Sequence, residues 1–176
     1  MVRRVVTAER DGRSYVLSDG PVGNTHNFAA VPGFQTTLAW EAPAVPGLPF
    51  DGTDPVAQVV SMLPSPHGSS LIIVQFPPDS VMASPDFDPE AAGAEQMKFL
   101  PGLAETFDPD GSGKHKTMTV DYDIILEGEL WMELDDGELT HLKAGDVVIQ
   151  NGTRHAWRNL GDKPARMASV LIGGGQ

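Results

Sequence analysis

From residue 116 to residue 172 the chain is a succession of short runs with β-type patterning, interrupted every few residues by pairs that favour tight turns. The runs are 116–126, 130–134, 139–142, 146–150, 155–159 and 165–172, and Glu127-Gly128, Asp136-Gly137, Ala144-Gly145 and Asn151-Gly152 separate them. Each pair supplies a residue that tolerates a left-handed backbone, which is what a short hairpin connection demands. Strands this short and this closely spaced, with almost no helical patterning, restrict the chain to an all-β sandwich or barrel. The first half adds weaker β-type runs at 3–7, 14–17, 36–42, 57–62 and 69–76.

One stretch departs from this pattern. Residues 77–114 carry Pro77, Pro78, Pro85, Pro89, Pro101 and Pro109, and read as a long excursion from the β framework. Within it the spacing predicts a short helix over 89–100, because Pro89 suits the first helical turn and the residues that follow are mostly good helix formers. Pro101 lacks an N–H and ends it. Loops of this length in a compact domain are commonly functional, which makes the excursion a candidate lid. At 176 residues, with no repeat and no break in composition, the chain is expected to be one domain over its full length.

The absence of cysteine excludes a disulfide framework, thiolate metal sites and a cysteine nucleophile. Any metal must be held by nitrogen and oxygen. A formal charge of −12 with no basic block argues against nucleic acid or an anionic membrane as partner. No apolar segment of signal-peptide or membrane-helix length follows Arg3 and Arg4, so a cytoplasmic location is expected.

The residues that promise chemistry fall in two segments. If 115–124 is a strand, alternation puts His115, Thr117, Thr119, Asp121 and Asp123 on one face, with Met118, Val120, Tyr122 and Ile124 on the other. Such a polar face would ordinarily look at water. The segment 145–159 is strand, turn and strand, and it aligns Thr153, His155, Trp157 and Asn159. His115, His155 and Asp121 then offer two imidazoles and a carboxylate, enough to hold a divalent transition metal with positions open for water or substrate. The alternative is a metal-free pocket in which a histidine and a carboxylate are bonded to each other and move protons.

These two segments resemble the motifs of the cupin superfamily, in particular small single-domain bacterial cupins of the conserved-barrel type. The first reads H-x-T-x-T-x-D-Y from His115 to Tyr122 and closes at Gly128; the second reads G-T-x-H-x-W-x-N from Gly152 to Asn159. The resemblance implies a cupin double-stranded β-helix, a jelly-roll barrel whose motifs lie within 115–172, preceded by N-terminal strands and the 77–114 loop. Most cupins hold metal with three histidines and a glutamate. Here Thr117 stands at the second histidine and Asp121 replaces the glutamate, which leaves His115, Asp121 and His155 as the implied metal ligands and catalytic residues, with iron, zinc, manganese or nickel as the metal, if one is bound. Trp157, Thr117, Thr119, Gln75 and Trp40 are the expected substrate contacts. Arg154, Arg158 and Tyr122 fall on opposite faces and read as surface or packing residues, and Trp131 as core or dimer interface. Among the histidines outside the motifs, His67 and His141 read as surface residues and His26 as the one nearest to any pocket.

The implied activity is metal-dependent lyase chemistry, dehydration or decarboxylation of a small oxygenated molecule. Two alternatives stand beside it: a non-heme iron dioxygenase using the same residues, and a cupin that binds a small ligand without turnover. Small cupins commonly pair through their sheets, so a homodimer is expected.

Overall fold

A computed structural model describes residues 1–175, and in it the chain forms eleven strands and one α-helix. Strands β1 (Arg3–Arg10) and β2 (Arg13–Pro21) form a separate antiparallel hairpin. A six-stranded sheet comprises β3 (Thr25–Asn27), β4 (Gln35–Ala42), β5 (Ser69–Phe76), β6 (Thr119–Glu127), β9 (Val147–Asn151) and β11 (Ala165–Gly173), in the order β3-β4-β5-β11-β6-β9. A three-stranded sheet joins β7 (Glu129–Glu133), β8 (Leu139–Lys143) and β10 (Ala156–Arg158) in the order β10-β7-β8. The last long strand thus lies between β5 and β6, which come from opposite sides of the excursion. This is the all-β jelly-roll arrangement expected.

Alternation along the strands decides what lies between the sheets. Ile125 and Met167 of the larger sheet meet Leu130 and Leu142 of the smaller one in a buried cluster. Further along the same inner face, Leu38, Ile72 and Leu171 are covered by Val56, Met62 and Leu100 from the connecting segments. Each fully buried leucine among these contributes about 1.5–3 kcal/mol.

The excursion contains α1 (Pro89–Phe99), one residue shorter than the spacing predicts. The Asp88 carboxylate caps it by accepting the Glu90 and Ala91 N–H groups at 3.0 Å each, and Pro89 occupies the first turn where its missing donor costs nothing. Ala92 and Leu100 tie the helix into the core. The run at 57–62 is not a strand, contrary to its patterning. Val56 just before it and Met62 at its end are buried as side chains and the Met62 N–H bonds the Pro101 carbonyl, while Val60 is exposed. With prolines at 55, 64 and 66 around it, the segment packs against the sheet instead of joining it.

On the outer face of the larger sheet, Tyr122 pairs with Ile149 and Ile124 with Val147 across β6 and β9. Tyr122, Val147 and Ile149 are exposed. Among the described residues no helix is long and apolar enough to cross a membrane.

Candidate functional site

A cavity of about 210 Å³ opens between the two sheets and the excursion. In that measure one water molecule needs only about 10–15 Å³, so there is room for a small organic molecule. The walls are mostly apolar, with Phe34, Ile72, Val74 and Met167 on the sheet side and Leu100, Leu103 and Phe107 from the excursion. The excursion is therefore one wall of the site. The polar lining includes His115, His155, Thr117, Asp121, Asp123 and Ser169.

The polar face of the first motif turns inward. Strand β6 begins at Thr119; His115 lies before it in extended chain and exchanges backbone hydrogen bonds with His155, at 2.9 and 3.0 Å. That pairing sets the two imidazoles side by side, 4.4 Å between ring centres. The Nδ1–H of His155 donates to the Thr153 carbonyl at 2.9 Å and that of His115 to the Gly113 carbonyl at 3.3 Å. A carbonyl only accepts, so each anchored nitrogen carries the proton and each Nε2 keeps its lone pair. Burial lowers the pKa of both rings. For His115 the value falls to about 4, helped by the neighbouring His155. Phe107 and Trp157 flank the pair, with ring centres 4.8 Å from His115 and 5.7 Å from His155.

Asp121 and Asp123 project from β6 two residues apart, both almost fully buried. Burial raises both pKa values, and that of Asp123 reaches about 7 despite the Ser169 hydroxyl donating to its Oδ1 at 2.6 Å. One oxygen of each carboxyl, Oδ1 of Asp121 and Oδ2 of Asp123, has no hydrogen-bond partner among the described residues. Opposing tendencies meet here. The imidazoles are held neutral and the carboxyls are pushed towards the protonated form, in the lining of one cavity.

Of the expected substrate contacts, Trp157 and Thr117 line this cavity, and Thr119 lies behind, its hydroxyl 2.7 Å from that of Thr117. Trp40 and Gln75 lie elsewhere. A bulge in β4 pairs Leu38 with Ile72 but Trp40 with Leu71, and the extra residue, Ala39, turns Trp40 to the outer face of the sheet. There it packs on Phe50 and beneath the Arg4 guanidinium. Gln75 also points outward, and its amide donates to the Gly33 carbonyl at 3.0 Å. His26 is not at the cavity either; it bonds Glu95 of α1 at 2.9 Å and stacks on Phe99.

Two positions were passed over by the sequence reading. Asp123 shares the Asp121 face by simple alternation, but the resembling motif has no acid there to prompt a role. Arg158 does leave β10 on the side opposite His155, yet it is long enough to reach the cavity lining. Neither it nor Arg154 is a free surface charge. Arg154 pairs with Asp108 and Asp135, and Arg158 with Glu133.

The donor types suit a divalent metal, and an imidazole fixed through Nδ1 with Nε2 free is how such ligands are usually oriented. The placement does not complete a centre. Among the described residues no three His, Asp or Glu side chains converge as a metal would require. His115 and His155 are adjacent, and the Thr117 hydroxyl takes the place of a fourth strong donor. As placed, these residues do not fit a three-ligand metal site.

Comparison with known proteins agrees with the motifs. A family profile described as Cupin domain matches residues 105–171. The chain is 30% identical over 139 residues to Oryzines biosynthesis cluster protein J of Aspergillus oryzae, spanning 77% of this chain and 71% of that protein. It is 39% identical over 64 residues to the cupin-domain-containing oxidoreductase virC of Hypocrea virens, a match of 35% of this chain and 33% of virC. A cupin family protein with a double-stranded β-helix fold from Methanocaldococcus jannaschii aligns over 65% of this chain and 79% of its own, at 16% identity and a TM-score of 0.40. This chain belongs to the cupin superfamily.

Proposed function

We propose that this cupin is an enzyme of proton-transfer chemistry, a lyase that eliminates water or carbon dioxide from a small, largely apolar oxygenated molecule. One observation carries the reading: neutral imidazoles with free Nε2 atoms share an apolar cavity with carboxyls whose pKa values burial raises. Groups whose environments drive their pKa values apart are an acid and a base in waiting. In a dehydration, His155 Nε2 takes a proton from the carbon beside the leaving group. The carboxyl pair of Asp121 and Asp123 gives a proton to the departing hydroxyl, and the electrons of the C–H bond become the new double bond. Charge on the protein is redistributed, not created. Trp157 and Phe107 offer faces for a planar part of the substrate.

The test is product analysis by NMR over β-hydroxy and β-keto compounds, before and after prolonged dialysis against a chelator. Elimination that survives dialysis within about twofold is expected; activity lost on dialysis and restored by a single metal ion would overturn the metal-free assignment. Oxidative chemistry is the second reading, favoured by the cupin-domain oxidoreductase among the relatives. Oxygen uptake matching substrate loss selects it. A compound that binds and is recovered unchanged selects a binding protein.

The proposed partner is a second copy. Tyr122, Val147 and Ile149 form an exposed apolar patch on an otherwise well-formed sheet, of the kind that marks an interface. Sedimentation should give twice the mass of the 176-residue chain, and Ile149→Glu should halve it; a wild-type monomer at micromolar concentration refutes the pairing.

A further inference from the structure

The cavity has an acidic inner wall and, among its described lining residues, a single Lys or Arg, which is Arg158. Its guanidinium is held in place from two directions. Nε donates to Glu133 Oε2 at 2.6 Å and Nη2 to the Ser112 carbonyl at 2.7 Å, on the Gly111-Ser112-Gly113 turn of the excursion. Nη1 makes no hydrogen bond to a described residue, and it lies 3.7 Å from where a Cβ on Gly113 would stand. A planar fork with one edge pinned and the rest open is prearranged for an anionic oxygen, since little side-chain freedom is lost on binding. Glu133 is shared with Lys114, whose ammonium also bonds the Leu134 carbonyl. One carboxylate thus lies between two cations.

We infer that Arg158 receives the carboxylate of an acid substrate, which enters with its anionic end at the rim and its reacting carbon towards His155, Asp121 and Asp123. The reverse orientation would bury the carboxylate in an apolar surround beside Asp121 and Asp123, with no Lys or Arg there to neutralise it. The inference rests on the proton-transfer reading for what happens at the inner wall, and it adds the substrate class, small apolar carboxylic acids. It also makes Arg158 a specificity-determining residue, and the Ser112 turn the part of the excursion that orients it.

The experiment is calorimetric titration of the full chain with 3-phenylpropanoate and with the matching amide. Wild-type protein should bind the acid at least tenfold more tightly than the amide. Arg158→Gln should erase that preference while leaving the amide affinity within twofold, and Glu133→Gln should widen it by removing the competing carboxylate. A merely structural salt bridge predicts no gain in the Glu133 variant. Equal affinities in the wild type, no binding of either probe, or a preference that survives Arg158→Gln each overturns the inference. If circular dichroism shows the Gln variant unfolded, Arg158→Lys and Glu133→Gln decide: the preference must shrink in the first and grow in the second. Acid preference without turnover on any acid sinks the proton-transfer reading alone, and turnover without acid preference sinks this one alone.

Discussion

His155→Ala should lower kcat by about 10²–10⁴-fold with KM within a few-fold, the usual range for loss of a positioned general base. The ring is fixed by its bond to the Thr153 carbonyl, so its lone pair already points where a proton is taken. Its neighbour offers a control. His115 has the same anchoring, but burial and the adjacent ring bring its pKa to about 4, which makes it the weaker base. His115→Ala should therefore cost substantially less, and equal losses would show that the assignment of the base is wrong. The pH profile follows from the same groups. Activity requires His155 deprotonated, so kcat/KM rises as pH passes its lowered pKa; it requires a protonated carboxyl, so it falls as pH passes about 7 if Asp123 holds that proton. A bell is expected, and a flat profile from pH 6 to 9 contradicts it.

The largest effect on stability should come from Asp123→Asn, and it should depend on pH. An acid whose pKa is higher in the folded state binds its proton more readily there. Its stabilising contribution is complete below the unfolded value near 3.8 and is lost as pH rises through about 7. At about 1.4 kcal/mol per pKa unit, the penalty above pH 7 has an upper bound of about 4 kcal/mol. Asparagine is neutral throughout and still accepts from Ser169, so the variant should gain up to that amount over wild type at pH 8 and almost nothing at pH 4. His115 titrates in the opposite sense, since its depressed pKa removes stability as pH falls from 6.5 through about 4. The comparison between variant and wild type cancels that contribution. Denaturation midpoints at the two pH values read the difference, and a gain of the same size at both would mean that charge burial at Asp123 is not its cause. Loss of turnover alongside the gain in stability is the expected trade at a site that keeps an unpaired acid in its interior.

Much of this was visible in the residues. Turn pairs and alternation located the strands after residue 116, and alternation alone put His115, Thr117, Asp121 and Asp123 on one face. It could not say that the face looks inward, because an exposed strand has the same pattern. The histidine at 155 and the match to cupin motifs resolved that. Trp40 was misplaced for a local reason, since one extra residue at Ala39 reverses every side chain beyond it and leaves no mark in hydrophobic pattern. Gln75 failed on parity, which sends Val74 and Phe76 in and Gln75 out. Arg158 failed in the opposite way: its parity was right, but parity describes where a side chain starts, and an arginine ends several bonds away. The run at 57–62 shows that apolar residues in strand-like order need a free sheet edge before they are a strand.

The 77–114 excursion is fastened in two unlike ways. Its helix is set into the core by Ala92 and Leu100, while its tip is held by Asp108, Ser112 and Lys114 against Arg154, Arg158 and Glu133. Contacts of the first kind are indifferent to dissolved ions, and those of the second compete with them. The tip of this cavity wall therefore answers to the electrolyte around it while its helix does not, so added salt should loosen the tip with little change in how firmly the rest of the chain is folded.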